Sequence, residues 1–394
     1  MTTRFFRALA HVVTLAVLLG VQSASASELD LLLDLLIKKH VVTEEEAGAL
    51  RGEVAQEKAT PAQEARRELA HPPQKPPGEL AKNEPLAANG LPFEAKGFVQ
   101  TRWSNEPGKP NTLQIRRARL ILNGKLADKI SYYVQADGVR SPFLLDASVD
   151  FAYVPFAKLT FGQFKIPFSQ ENLISDDKWM PIERSMIGNS LVPGRDTGNQ
   201  GRDIGVQVSG SSPAWHGRPL LTYAVGLFNG NGISTLDVNN RKDFASRVVF
   251  NPVDGLSLAG DYYDGATGTT KLAKQREGVE LAYIRQPVSV YSEYIWGRDG
   301  AVRKSGWYSL LVYRLNPKWE GIFRLENYNP DRHTPNKGTN LYMGGLNWYL
   351  NKWVKWGANY GLSDQAASSH LTSVFLTQVQ FSFQLTGKKG GAGE

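Results

Sequence analysis

The chain has 394 residues, 41% of them hydrophobic and 21% charged, a balance that excludes wholesale disorder and a bundle of membrane helices. It contains no cysteine, which excludes a disulfide framework, thiolate metal sites and cysteine nucleophiles. The net charge of +7 is uneven: residues 1–90 hold 10 Lys/Arg against 12 Asp/Glu, residues 91–394 hold 35 against 26, and the larger region is therefore at +9.

Residues 1–26 read as an export signal. Arg4 and Arg7 give a basic start, Ala8–Leu19 an apolar run, and Ala24-Ser25-Ala26 an A-x-A cleavage site. A lone N-terminal membrane helix is the alternative, but the run is short for a span of roughly 20 residues and His11 interrupts it. No later segment is apolar enough for a membrane helix, so any span in the exported chain must be a β-barrel.

Residues 27–58 carry two helical patterns. Leu29, Leu32, Leu33 and Leu36 make one apolar stripe. Thr43 to Glu46 fits a capping box, and Ala47, Leu50 and Val54 continue on one face. Such short helices are marginal alone and need a partner, such as copies of themselves in a coiled-coil-like periplasmic segment. A loose hairpin packed on nothing is the alternative. Residues 59–92, with seven prolines between Thr60 and Pro92, read as an extended linker.

From Phe93 the pattern changes to period two. Ile130, Tyr132, Val134 and Ala136 alternate with Ser131, Tyr133, Gln135 and Asp137; Val379, Phe381, Phe383 and Leu385 alternate with Gln378, Gln380, Ser382 and Gln384. Sixteen such segments begin near Phe93, Thr112, Lys129, Leu144, Lys158, Arg202, Pro219, Asp243, Asp254, Glu277, Val288, Ser305, Lys318, Asn340, Trp353 and Thr372. Most have about ten residues, the length a tilted strand needs to cross a bilayer.

The connections alternate as well. Even ones are short, as at Ala127-Asp128, Gln286-Pro287 and Asn351-Lys352, with Ser211–Arg218 the exception. Odd ones are longer, among them Ser104–Asn111, Gly138–Phe143, Asp264–Arg276, Arg298–Lys304 and above all Ser169–Gly201. Short periplasmic turns and long outer loops are the asymmetry of outer-membrane barrels, and tryptophans and tyrosines near the turns resemble interfacial girdles. A soluble β-sandwich or propeller would also alternate but rarely places aromatics so regularly. The expected fold is all-β: a 16-stranded antiparallel transmembrane β-barrel over residues 93–385, with residues 386–394 a polar tail.

Three stretches carry a family resemblance: Leu113–Lys125 (LQIRRARLILNGK), Lys129–Asp137 (KISYYVQAD), and Leu145–Ile187, which holds LTFGQFKIPFSQENLISD and WMPIERSMI. With these the chain resembles the phosphate-selective porin O/P family of Gram-negative outer membranes. The leucine-rich helix followed by VVTEEEAGAL is also similar to the periplasmic coiled segment of family members. The resemblance implies trimers of 16-stranded barrels with the third outer loop folded into the pore. Counting connections independently makes Ser169–Gly201 that third outer loop, at about 30 residues long for a connection without a function.

An anion channel needs Arg/Lys at its constriction. In the second strand Arg117 and Arg119 share a face with Asn123, opposite the lipid-facing Ala118, Leu120 and Leu122; Arg116 has lipid-side parity near the outer rim, where it can snorkel. An ion-pair ladder with Asp146 and Asp150 is the structural alternative for Arg117 and Arg119. On the fifth strand Phe161, Gln163 and Lys165 share one parity, which makes Lys165 a lumen candidate. The loop and its end add Lys178, Arg184, Arg195 and Arg202 among Glu171, Asp176, Asp177, Glu183, Asp196 and Asp203, so its charge is mixed and internal salt bridges compete with anion selection. Arg102 on the first strand, and Arg324 beside Glu320 and Glu326, complete the candidates. Guanidinium binds phosphate bidentately, which favours Arg over Lys.

The expected function is passive diffusion of small anions through an outer-membrane porin, phosphate the leading candidate. A general porin for small hydrophilic solutes and an outer-membrane binding or adhesion barrel are the alternatives. An enzyme is not expected: the barrel region holds only His216, His333 and His370, all in connections and without repeated metal spacing. No cofactor is implied. Nucleic-acid binding lacks a dense basic patch interleaved with aromatics. The expected partners are two further copies of the chain, outer-membrane lipid and lipopolysaccharide, whose phosphates basic outer-loop residues such as Arg298, Arg303 and Lys304 could meet, and small anions.

Overall fold

A computed structural model describes residues 93–386, apart from His216, Ala367 and Ser369. The signal peptide, helical segment and linker expected over residues 1–92, and the tail from residue 387, lie outside the described residues.

Sixteen antiparallel strands close on themselves. They are β1 (Phe93–Asn105), β2 (Thr112–Ala127), β3 (Ile130–Asp137), β4 (Leu144–Val154), β5 (Ala157–Lys165), β6 (Arg202–Ser211), β9 (Leu221–Phe228), β10 (Asp243–Phe250), β11 (Leu256–Thr267), β12 (Leu272–Arg285), β13 (Val288–Asp299), β14 (Val302–Arg314), β15 (Trp319–Asn329), β16 (Thr339–Tyr349), β17 (Val354–Gln365) and β18 (Thr372–Thr386). A separate two-stranded ribbon, β7 (Ala214–Trp215) with β8 (Arg218–Pro219), fills the longest of the expected short turns. Closure runs from Glu94↔Thr386 to Asn105↔Phe375, so every barrel strand has two neighbours and no edge is left unpaired.

The walls are inside out relative to a water-soluble fold. On β18, Val379 and Phe381 are 45% and 47% exposed, while Gln378 and Gln380 between them are buried. On β2, Leu120 is exposed while Arg117 and Arg119 are buried. Apolar side chains on the outside and polar ones inside are what a bilayer around the barrel requires. Among the described residues no helix is long and apolar enough to cross a membrane.

Most strands begin within two residues of the positions expected from alternation. β12 starts at Leu272, five residues before the expected Glu277, and β14 at Val302, three before Ser305. There the ladder continues past the apolar belt: Lys274, Gln275 and Arg276 pair with Gly265, Asp264 and Tyr263. Backbone pairing persists where polar side chains on both faces erase the period, so the loops expected at Asp264–Arg276 and Arg298–Lys304 shrink to tight turns.

Two irregularities re-aim side chains. The β1–β2 register shifts between Gln100 and Thr101: Gln100 pairs with Arg117 and Thr101 with Ile115, leaving Arg116 as the extra residue of a bulge. On β5, Gly162 has φ +128°, and a Cβ there would lie 2.1 Å from the Ala147 carbonyl oxygen, which is why the position is glycine. Phe161 is half exposed among the apolar residues of the outer wall while Gln163 is buried, so Phe161, Gln163 and Lys165 do not share one face as expected.

The long third outer connection, residues 166–201, turns inward. Phe168, Ile174, Trp179, Met180, Ile187, Leu191 and Val192 from it form one buried cluster with Tyr263, Tyr291, Ile295, Tyr308, Leu310, Ile322 and Met343 of the inner wall. Trp179 packs edge-on against Tyr291 and Tyr308, with ring centroids 6.2 and 6.3 Å away. Each such side chain taken from water contributes about 1.5–3 kcal/mol, enough together to hold the loop against the β11–β16 side of the lumen.

Candidate functional site

The loop is fastened by its backbone as well as its apolar face. It contains two single helical turns, α1 (Gln170–Leu173) and α2 (Met186–Ser190), each capped by a serine: Ser169 accepts from the Asn172 N–H and Ser185 from the Gly188 N–H. Inner-wall carboxylates accept loop N–H groups, Glu293 from Glu171 at 2.7 Å and Glu326 from Met186 at 2.5 Å. Inner-wall amides complete the attachment: Asn347 donates to the Met180 carbonyl at 3.0 Å, and Gln380 to that of Asp177 at 3.1 Å. Gly201, at φ +72°, ends the loop against the Asn172 side chain.

On the β1–β3 side the contacts are ionic. Asp176 is shared by three guanidiniums: Arg184 at 2.7 Å, Arg119 at 2.6 Å and Arg117 at 3.4 Å. Burial would raise its pKa, but these cations outweigh it and hold the carboxyl well below the usual carboxylate range. Arg119 also meets Asp137 at 3.1 Å and donates to Gln200 at 2.6 Å. Glu183 receives a two-pronged contact from Arg116, 2.7 Å to one oxygen and 3.2 Å to the other, and a further contact from Arg102. Burial opposes ionisation of Glu183 too, and the hydrogen bond and charge of Arg116 override it, so its pKa is lowered.

Between these groups lies a cavity of about 190 Å³. Arg116, Arg117, Arg140, Arg184 and Arg195 line it with Glu183, Asn189, Gly198 and Gln200, five guanidiniums against one carboxylate. Arg195 donates through Nε to Asn172 Oδ1 at 2.8 Å, but its Nη2 is buried with no hydrogen-bond partner. Burial and the neighbouring Arg184 push its pKa down to about 9, outweighing the opposite pull of Asp176 and Glu171. Arg140 reaches in from the second outer loop, its guanidinium 3.4 Å from the Gly198 carbonyl, and is likewise lowered by burial and by Arg116.

Of the nine residues proposed from sequence, Arg117, Arg184 and Arg195 line the cavity, and Arg102 and Arg119 stand behind it through Glu183 and Asp176. The other four lie elsewhere. Lys165 directs its ammonium at the carbonyls of Asn172, Leu173 and Ile174, at 2.6, 3.1 and 3.0 Å, and so caps the first helical turn with all three donors. Arg202 forks onto Asp146 at 2.8–3.0 Å and anchors the loop's end. Arg324 pairs with Glu326 at 2.6 Å and donates to the Glu183 carbonyl at 2.8 Å. Lys178 is half-buried in the loop and does not line the cavity.

Two expectations are corrected here. The ladder of Arg117 and Arg119 with Asp146 and Asp150 does not form; those acids pair with Arg202 and Lys158, and the loop's Asp176 takes their place. Arg116 does not snorkel outward, because the bulge turns it to the lumen beside Arg117. Sequence reasoning missed Arg116 and Arg140. The Arg116-Arg117 doublet was the one available signal, since a bulge breaks the period that assigned its parity.

With this geometry in hand, comparison with known proteins decides the family. The model for phosphate-selective porin O and P matches residues 98–259 and 255–384. The chain belongs to this family. None of the curated proteins matches it in sequence. Among solved structures this porin is similar to the anion-selective porin from Comamonas acidovorans, at 13% identity and a TM-score of 0.58 over 75% of this chain and all of that one. It is similar to Salmonella typhi OmpF in complex with daunomycin, at 11% identity and a TM-score of 0.57 over 74% and 97%. It is also similar to the trimer form of in-vitro folded OmpT of Vibrio cholerae, at 11% identity and a TM-score of 0.52 over 74% and 99%. At such identities the likeness establishes the fold. This porin is an outer-membrane barrel, with the architecture of a channel rather than an enzyme.

Proposed function

We propose that this porin passes small anions down their gradient, phosphate first among them, through the arginine-lined cavity between the inward loop and β2. The observation that carries the reading is the charge of that cavity, five guanidiniums with one carboxylate and an unpartnered donor on Arg195. Its volume of about 190 Å³ suits a small oxyanion that keeps part of its water, whose molecules each take roughly 30 Å³ in the liquid. Guanidinium N–H groups replace the lost hydration, and their number spreads the attraction so that the ion can leave. In this reading the loop, whose apolar face packs on the β11–β16 side, is the constriction, and the arginines beside it meet the passing ion.

The family and the trimer form of a structural neighbour support a homotrimer. Export by a cleaved signal over residues 1–26, a helical segment over 27–58 and a linker over 59–92 complete the proposed organisation in the outer membrane. Exposed Arg303 in the outer turns would face lipopolysaccharide phosphates.

The runner-up, a general porin for small hydrophilic solutes without phosphate preference, has one observation in its favour: Arg117, Arg119 and Arg184 are already paired with Asp176. Planar-bilayer recording separates the readings. Conductance steps with a reversal potential favouring chloride over potassium, and chloride current blocked by millimolar phosphate, are expected. Unaltered chloride current in phosphate favours the general porin, and cation preference overturns the anion reading.

A further inference from the structure

The three carboxylates nearest the arginines are not equivalent. The Asp137 and Asp176 side chains are sealed, at 0% and 4% exposure, and serve to hold the loop to the wall. The Glu183 side chain is 24% exposed and is the one carboxylate that lines the cavity. Both of its oxygens lie on the fork of Arg116, itself 28% exposed, and Arg102 approaches one of them from the other side. A carboxylate and a phosphate present the same pair of oxygens to an arginine fork. The fork that the bulge turns into the lumen is therefore already filled, by an anion tethered to the loop. The Glu183 carbonyl accepts from Arg324 at 2.8 Å, a hold on the loop backbone that does not use the Glu183 side chain.

We infer that Glu183 is a built-in competing anion: its carboxylate occupies the Arg102–Arg116 site in the resting channel, and a permeating oxyanion displaces it there and is displaced by it on leaving. The inference rests on the anion-channel reading and adds to it a residue that tunes how tightly the site holds an anion. A tethered competitor weakens binding of every anion that needs the site by the same factor. It thus speeds release from a site that would otherwise hold an oxyanion strongly. Arg195 and Arg140, which lack such a partner, would remain as the holding contacts while Glu183 moves.

The test is inorganic phosphate block of chloride current through single channels, at constant ionic strength, for the wild type and for Glu183→Gln. The amide keeps the shape and one acceptor but not the charge. The half-blocking phosphate concentration should fall by about tenfold, equivalent to about 1.4 kcal/mol, with longer blocked intervals. Glu183→Ala, which leaves no side chain to misplace, should shift it in the same direction and serves if the amide variant does not insert. A half-blocking concentration unchanged or raised in these variants, with anion preference and wild-type block intact, overturns the inference and leaves the anion-channel reading standing. A wild-type channel that prefers cations overturns both.

Discussion

Asp176→Asn probes how the loop is held. Asp176 Oδ1 takes two bonds from Arg184, at 3.0 and 2.7 Å, and Oδ2 faces Arg119 and Arg117 at 2.6 and 3.4 Å. The amide replaces one acceptor oxygen by a donor and leaves three guanidiniums sharing a neutral group. Breaking a buried pair from one side costs about 3–5 kcal/mol when the remaining charge has no other partner. Here Arg119 keeps Asp137 and Gln200, Arg184 keeps the Ile174 carbonyl, and Arg117 keeps Gln100. About 2–3 kcal/mol is therefore expected, the scale of one or two hydrogen bonds to a charged group. The loss falls on loop attachment, because no ladder bond of the barrel is touched. Hydrogen exchange of loop amides should accelerate by about 30- to 150-fold, while strand amides and the thermal midpoint of the barrel stay unchanged. The carboxyl titrates below its unattached value, so its contribution is fully present at neutral pH and is lost only as pH falls through that lowered value. The wild-type loop should accordingly loosen in acid, below the ordinary carboxylate range, and the Asn variant should lose that transition. Loop exchange rates equal to those of the wild type at neutral pH would refute the view that Asp176 clamps the loop.

Other perturbations test separate parts of the structure. Trp179→Ala removes a ring packed on Tyr291 and Tyr308 and should cost the loop about 3–5 kcal/mol; larger conductance steps and proteolysis within residues 169–201 are the readouts. Arg140→Ala takes a guanidinium from the cavity without disturbing Asp176, so the chloride-to-potassium permeability ratio should drop with no change in loop exchange. Arg116→Ala should lower that ratio more, because it removes a cation and also leaves the Glu183 carboxylate with Arg102 alone to neutralise it. Leu120→Arg near the middle of β2 puts a charge on the lipid face and should lower stability by about 2–4 kcal/mol in a urea refolding titration into vesicles.

The barrel was legible because two independent signals agreed. Alternation such as Val379, Phe381 and Phe383 against Gln378, Gln380 and Ser382 assigns both faces of a strand, and short turns alternating with long loops assign its ends. Where one signal failed, so did the reading: Lys274–Arg276 remains in the ladder, but with polar groups on both faces it has no period. The inner face of β14 was hidden for the opposite reason. Tyr308, Leu310 and Val312 point inward yet are apolar, because the loop, not water, covers them.

The cavity was legible only in part. Arg117 followed from parity, and Arg184 and Arg195 from their place in a long loop. Their partners did not follow, since Asp176 meets Arg117 and Arg119 across more than 50 residues of sequence only when the loop folds back. A list of loop charges cannot say which cations are neutralised and which, like Arg195, keep an open donor. Period two, set by the geometry of one strand, is local and was written in the chain: it set the wall and its two faces, and counting connections placed the long loop between the fifth and sixth strands. The bulge at Arg116, the inward reach of Arg140 and the division of arginines between Asp176, Glu183 and the cavity depend on pairings between distant segments. Those were decided by closure of the barrel and the docking of the loop inside it.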